Sequence, residues 1–228
     1  MKLLRMVFAQ AKSDGIAGTN PTEGVSVLKK TGERARKPFT LNELKAVLDV
    51  ARGSEWETVI KLGLFTGQRI GDIVNLKWSA VDFESGEIRF STRKTGRLVL
   101  VPIFPQLSDL LLALDVGDDP DAPVLPESYA TFKRKKGAAT LSRQFGELLA
   151  KAGLRAKILH RKGSGVRRKH PLTFHALRHT AVSMMKNAGV PVSVVMDIVG
   201  HESAEISQLY THTDHASKSE ALKHLPEL

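Results

Sequence analysis

The sequence predicts an α+β domain, mostly α-helical, with one small three-stranded antiparallel sheet at its edge. Three observations carry that expectation. Apolar residues recur at three- and four-residue spacing along most of the chain, the period of a helix buried on one face. Between residues 81 and 101 the period shortens to two, in three short runs separated by turn residues. Hydrophobic residues make up 42% of the 228, enough to bury one large core and too many for a disordered chain.

The elements follow in order. Phe8-Ala9-Gln10-Ala11-Lys12 reads as the last turns of a helix, which Gly15, Gly18 and Asn20-Pro21 break. Residues 29–37 are basic and polar and read as a linker. Thr40 followed by Glu43 has the spacing of a capping box, and Leu44, Val47 and Leu48 continue a helical stripe toward Gly53. A second helix is expected over residues 55–66, stopped by Gly67. A short third one carries Ile70, Ile73 and Leu76, and here Thr66-Gly67-Gln68-Arg69 forms the link. Residues 81–83, 87–90 and 98–101 are the strands of a meander, turning at Glu84-Ser85-Gly86 and Lys94-Thr95-Gly96. After Pro105, helices are expected over 107–114, 141–152, 173–187, 193–199 and 203–212. The boundaries place an exit segment and linker at 1–37, the main domain at 38–215 and a C-terminal tail at 216–228.

Lys and Arg number 34 against 24 Asp and Glu, a net charge of +10 that attracts polyanions, nucleic acid first. An anionic membrane surface is the rival partner, but the basic residues do not line one amphipathic helix. No apolar run approaches the roughly 18 residues needed to span a bilayer. The absence of cysteine excludes a disulfide scaffold, cysteine-ligated zinc and a thiol nucleophile, and fits a reducing compartment.

Four segments carry candidate chemistry. Arg69, just past a helix stop, can point its planar fork at an anion; alone it would be a surface arginine at a turn. Arg93, Lys94 and Arg97 crowd one hairpin tip, which can approach a DNA backbone or simply be solvated. In Thr173-Phe174-His175-Ala176-Leu177-Arg178-His179, Thr173 can cap a helix. Phe174, Leu177, Ala181 and Met185 form its buried side. His175 and Arg178 neighbour each other on one turn, a pairing suited to proton transfer beside phosphate. His175 and His179 also have zinc-ligand spacing, but the glutamate of the metalloprotease helix is absent and Arg178 would crowd a cation. His179 suits a hydrogen-bonded support role. In the fourth segment His201 follows Gly200, and Tyr210, one of two tyrosines beside Tyr129, comes nine positions later (210 − 201).

Taken in order, these segments resemble the phage-integrase, or tyrosine-recombinase, family over residues 38–215. The motifs are Thr-Gly-x-Arg, His-x-Leu-Arg-His, and Gly-His with a tyrosine nine later. The resemblance implies that Arg69, Lys94, His175, Arg178, His201 and Tyr210 occupy the family's catalytic positions, with Arg93 and Arg97 as competitors for the lysine's place. Asp72 stands where the family often has glutamate, in a support position. The resemblance further implies DNA cleavage through a 3′-phosphotyrosyl intermediate, with no metal or other cofactor. It implies double-stranded DNA as partner, a tetramer on that DNA, and a cytoplasmic, nucleoid-associated protein of a bacterium, phage or mobile element. Residues 1–24 resemble the exit of a core-binding domain most of which would be absent. Arg93, Arg97, Lys133, Arg134, Lys135, Lys136, Arg161, Lys162, Arg167 and Arg168 are the candidate DNA contacts. Three rivals stand beside this reading. A type IB topoisomerase would use the same residue set for relaxation. A DNA-binding regulator would carry a degenerate site. A metal-dependent hydrolase would be built on His175 and His179.

Overall fold

The computed structural model describes residues 2–25, 37–91, 96, 98–155, 170–200 and 222–223. The expected helix at 203–212, most of the linker and the first two residues of the Lys94-Thr95-Gly96 turn lie outside them. The chain forms two compact units, residues 1–34 and 35–228.

In the first unit, α1 (Lys2–Ser13) reaches well upstream of the turns legible in the sequence. It is followed by a turn in which Asn20 Oδ1 accepts from the Thr22 amide at 3.0 Å and the Thr22 hydroxyl at 2.7 Å. That local bonding is what the Asn-Pro-Thr sequence favours over further helix. Arg5 donates to the Val25 carbonyl and Lys12 pairs with Glu23 at 3.4 Å.

The second unit begins with α2 (Leu41–Ala51), whose capping box is complete: Glu43 N donates to Thr40 Oγ1 at 3.2 Å and Thr40 N to Glu43 Oε2 at 2.9 Å. Burial alone would raise the Glu43 carboxyl, but the pairing with Lys37 and the bond from the Thr40 amide outweigh it and hold the group below its ordinary range. Then come α3 (Glu55–Thr66) and α4 (Ile70–Ile73), the latter shorter than Leu76 suggested, because the chain turns after Val74. A 3₁₀ turn (Trp78–Ala80) leads into β1 (Val81–Asp82), β2 (Glu87–Ser91) and β3 (Leu98–Pro102). The strands pair antiparallel in sequence order, with Val81 opposite Ile88 and Ile88 opposite Val101. Ile88, Phe90, Val99 and Val101 face the core, the alternation a one-sided sheet requires. Phe83 falls outside β1 because the Asp82 carboxylate accepts from the amides of Glu84 and Ser85 and starts the turn there.

The remaining helices are α5 (Pro105–Leu112), α6 (Pro126–Lys133), α7 (Gly137–Lys151), α8 (Phe174–Asn187) and α9 (Val192–Val199). Nothing in the sequence pattern marks α6. Only Ser128 of it is buried, so it lacks the apolar stripe that periodicity detects. Its N-terminus is tied down from elsewhere, as Glu55 accepts from the amides of Glu127 and Ser128 at 2.9 and 2.7 Å. Helix α7 starts at Gly137, four residues before Leu141, for the same reason: its first turn carries no large apolar side chain.

The centre of this unit is α3, whose Val59, Ile60, Leu62 and Leu64 are wholly buried. It packs against α8 through Gly63, where a β-carbon would stand 2.7 Å from Phe174 Cζ. Phe174 in turn meets Phe145 edge-on, centroids 5.4 Å apart. Leu222 also lies within this core, so the stretch expected to be a tail contributes at least one packed side chain. A methyl at position 63 has no room, and Gly63→Ala is expected to lower unfolding stability by about 1–3 kcal/mol through overpacking. Urea denaturation checks this; an unchanged midpoint would mean the α3–α8 seam yields without cost.

Candidate active site

The turn joining α3 to α4 organises the site. Gly67 caps α3 with φ +63°, and a β-carbon there would stand 2.7 Å from Val199 Cγ1. Both the left-handed backbone and the close approach demand glycine. Thr66 keeps its hydroxyl inside the helix, donating to the Leu62 carbonyl at 2.6 Å. Arg69 then takes the N-cap position of α4, with its side chain 35% exposed and Nη1 3.9 Å from Asp72 Oδ2. The Asp72 side chain is only 5% exposed. A carboxylate so buried needs charge and hydrogen-bond support, which is consistent with a support position at the site.

Arg178 arrives from α8. It lies on the buried side of that helix, 2% exposed, and its Nη1 donates to the Gly67 carbonyl at 2.8 Å. Burial, then the nearby positive charge of Arg69, push its guanidinium down to about 10, while Asp72 pulls the other way. At neutral pH it therefore remains a cation. Two guanidinium groups, one recessed and one partly exposed, thus meet at one turn: Arg178 bonds to the Gly67 carbonyl, and Arg69 lies 3.9 Å from the buried Asp72 carboxylate. Such an arrangement holds positive charge in fixed geometry and out of water, where it acts on an anion most strongly.

His175 lies about one turn before Arg178 on α8, half-buried, its ring edge-on to His179 with centroids 5.0 Å apart. Among the described residues no group of three or more His, Cys, Asp or Glu side chains converges as a metal site would require. Thr173 occupies the N-cap position as expected, but its hydroxyl makes no capping bond. It is turned inward and buried, without a hydrogen-bond partner among the described residues.

Of the residues singled out in the sequence, Arg69, Arg178 and Asp72 are brought together, and His175 neighbours Arg178 on one helical turn. Lys94, His201 and Tyr210 lie outside the described residues, as do Arg93, Arg97, Arg161, Lys162, Arg167 and Arg168. Of the described residues that flank them, Gly200 and Val99 approach each other closely. A β-carbon on Gly200, the residue before His201, would stand 2.6 Å from Val99 Cγ2 on β3, the strand that leaves the Lys94 hairpin. The end of α9 therefore sits between that strand and the Gly67 turn. Lys133 at the end of α6 and Arg134, Lys135 and Lys136 on the turn into α7 are all exposed, with Lys133 over the Tyr129 ring at 4.7 Å. The ring of Phe132, just before them, lies against Gly71 of α4, two residues from Arg69. Gln68 fills the variable place of Thr-Gly-x-Arg, a place the motif leaves without a role; in the structure it is 1% exposed and bonded across the site.

Residues 37–217 match the phage integrase family. The chain is 24% identical to a XerC-like tyrosine recombinase of Caldanaerobacter subterraneus subsp. tengcongensis, covering 99% of this chain and 64% of that protein. It is 26% identical to the tyrosine recombinase XerA of Pyrococcus furiosus, over 86% of this chain and 67% of that one. The chain thus spans about two thirds of the length of these relatives. Among solved structures, the integrase of mycobacterium phage Brujita superposes with a TM-score of 0.63 at 18% identity, over 98% of this chain and 69% of that chain. A lambda integrase dimer bound to a COC′ core site gives 0.62 at 20%, over 93% and 73%. The chain belongs to the phage integrase family, and the matched segment is its tyrosine-recombinase catalytic domain. The mostly helical fold with a small antiparallel sheet is the fold of these neighbours.

Proposed function

We propose that this chain is a site-specific DNA recombinase that cleaves and rejoins DNA through a phosphotyrosyl intermediate on Tyr210. The observation that carries the reading is that Arg178, from a distant segment, bonds to the Gly67 carbonyl in the turn that bears Arg69, beside the buried Asp72. The Tyr210 oxygen attacks the scissile phosphorus as His175 takes its proton. The P–O5′ bond breaks, Lys94 gives its proton to the leaving 5′ oxygen, and the 3′ phosphate stays on the tyrosine. Arg69 and Arg178 hold the non-bridging oxygens of the pentacoordinate transition state, and His201 donates a further hydrogen bond there. The phosphotyrosyl bond keeps the energy of the phosphodiester, so a 5′ hydroxyl can reverse the step without ATP. Two arginines and a lysine supply the positive charge that a metal supplies in other phosphoryl-transfer sites.

Double-stranded DNA is the substrate and a tetramer on it the working assembly. One structural neighbour, a lambda integrase tetramer bound to a Holliday junction, supports that assembly. The setting is the nucleoid, in the cytoplasm of a bacterial host of a phage or mobile element; among the described residues no helix is long and apolar enough to cross a membrane. Arg93 and Arg97 on the hairpin, and Arg161, Lys162, Arg167 and Arg168 in the segment before α8, contact the backbone alongside the α6–α7 turn. The test is incubation with a nicked suicide site, which should trap a covalent protein–DNA complex with a free 5′ hydroxyl. Strand exchange between two sites, rather than relaxation alone, separates a recombinase from a type IB topoisomerase.

The α6–α7 turn offers a measurable share of the binding. Each phosphate contact contributes about 0.9 to the slope of log K against log salt. Replacing Lys133, Arg134, Lys135 and Lys136 with serine should therefore flatten the salt dependence by about 2–4 units, equally for cognate and scrambled duplexes. An unchanged slope would make these four side chains a solvated turn.

A further inference from the structure

Gln68 stands between the helix stop and Arg69 and is 1% exposed. A polar side chain that deep must find partners. Both Nε2 protons do, one to the Thr66 carbonyl at 3.1 Å and the other to the Ile198 carbonyl at 3.0 Å, while the buried Oε1 accepts no hydrogen bond among the described residues. The orientation of the amide follows from chemistry. With oxygen and nitrogen exchanged, a lone-pair oxygen would face two carbonyl oxygens. The first bond stays within the turn. The second reaches the last turn of α9, 130 positions away in sequence.

The receiving segment is held from other directions as well. Val199 fills the space left by the missing side chain of Gly67, and Gly200, at φ +65°, seats against Val99 of β3. Ile198, Val199 and Gly200 are thus gripped by the Arg69 turn on one flank and the sheet on another, and His201 is the next residue in the chain. The same turn receives Arg178 through the Gly67 carbonyl. Hydrophobic contact alone would hold α9 in place but leave it free to slide by fractions of an ångström; a directed hydrogen bond fixes the register.

We infer that Gln68 is a positioning residue. Its carboxamide locks the end of α9 to the turn bearing Arg69, so that the two arginines and the chain entering His201 are held as one piece. The consequence for rate rests on the recombinase reading above; the geometry does not.

Two variants of the full chain separate this from simple packing. Gln68→Met keeps the volume and removes the donors. Gln68→Glu keeps the shape and presents an acceptor to two carbonyls. In single-turnover cleavage at saturating DNA, Gln68→Met should be slower by about tenfold or more, with little change in DNA affinity. In a His201→Ala background the same substitution should cost less than about twofold, because what it disturbs is already gone. Gln68→Glu should regain part of its rate, relative to wild type, as pH falls, since the protonated acid recovers one donor. Independently of cleavage, the imidazole resonance of His201, assigned by its loss in His201→Ala, should shift or split in Gln68→Met. Costs that multiply in the double variant, together with an unmoved His201 resonance, would overturn the inference. If the wild-type chain forms no covalent adduct, the recombinase reading fails instead, and the resonance alone decides the role of Gln68.

Discussion

Tyr210→Phe is expected to abolish covalent attachment to DNA while leaving binding close to wild type. The substitution removes one oxygen and keeps the ring, so nothing that depends on shape changes. A nucleophile has no substitute within its own site, and the fall should exceed about 10⁴-fold, the scale seen when the attacking group of a covalent catalyst is deleted. A free tyrosine has a pKa near ~10, so at neutral pH its oxygen attacks only if its proton is taken as the bond forms. The measurement is adduct formation on a suicide site, in buffer containing EDTA, since the proposed charge comes from side chains. Persistent adduct in Tyr210→Phe would move the assignment to Tyr129, the other tyrosine. Tyr129 lies half-buried on α6 with Lys133 over its ring, a position suited to packing beside the basic turn. Adduct lost in EDTA and restored by magnesium would instead overturn the metal-free mechanism.

Most of the fold is legible because its elements bury one face and end on residues with a mechanical reason to end them. Thr40 and Glu43 cap α2, Gly67 stops α3, and the two-residue period of β2 and β3 matches their burial. The elements that escape share a cause. Helix α6 and the first turn of α7 carry no apolar stripe, and are held by backbone capping from Glu55 and by the turn between them, which no periodicity records. The site is legible as a set of residues but not as an arrangement. Sequence patterning places charge outside, so Arg178 is expected to share a surface with His175. The structure turns it inward among Leu177 and Ala181, because the Gly67 carbonyl and Asp72 wait there from a segment far away in sequence. Gln68 is invisible for the same reason: its partner is a backbone carbonyl, and carbonyls leave no trace in a sequence.

That inward placement changes what removal of Arg178 will do. Arg178→Ala would strip the Gly67 carbonyl of a buried donor, at about 1–3 kcal/mol, and open a cavity beside Asp72. A loss of activity in that variant would mix unfolding with chemistry. Arg178→Lys is the sharper test. It keeps a positive charge near Asp72 and most of the stem, but replaces a planar fork with a point charge. A lysine can satisfy the Gly67 carbonyl or reach the phosphate, and the fork can do both at once. At saturating DNA the cleavage rate should fall by about 10²-fold or more, the usual cost of one lost oxyanion donor. Affinity should change little, because the recessed group meets developing transition-state charge and contributes little to docking the duplex. Thermal melting of the variant should stay close to wild type, which shows that the loss is chemical. A fall in affinity that accounts for the whole loss would make Arg178 a docking residue. An undiminished rate would show that charge alone suffices there and that Arg69 supplies the geometry.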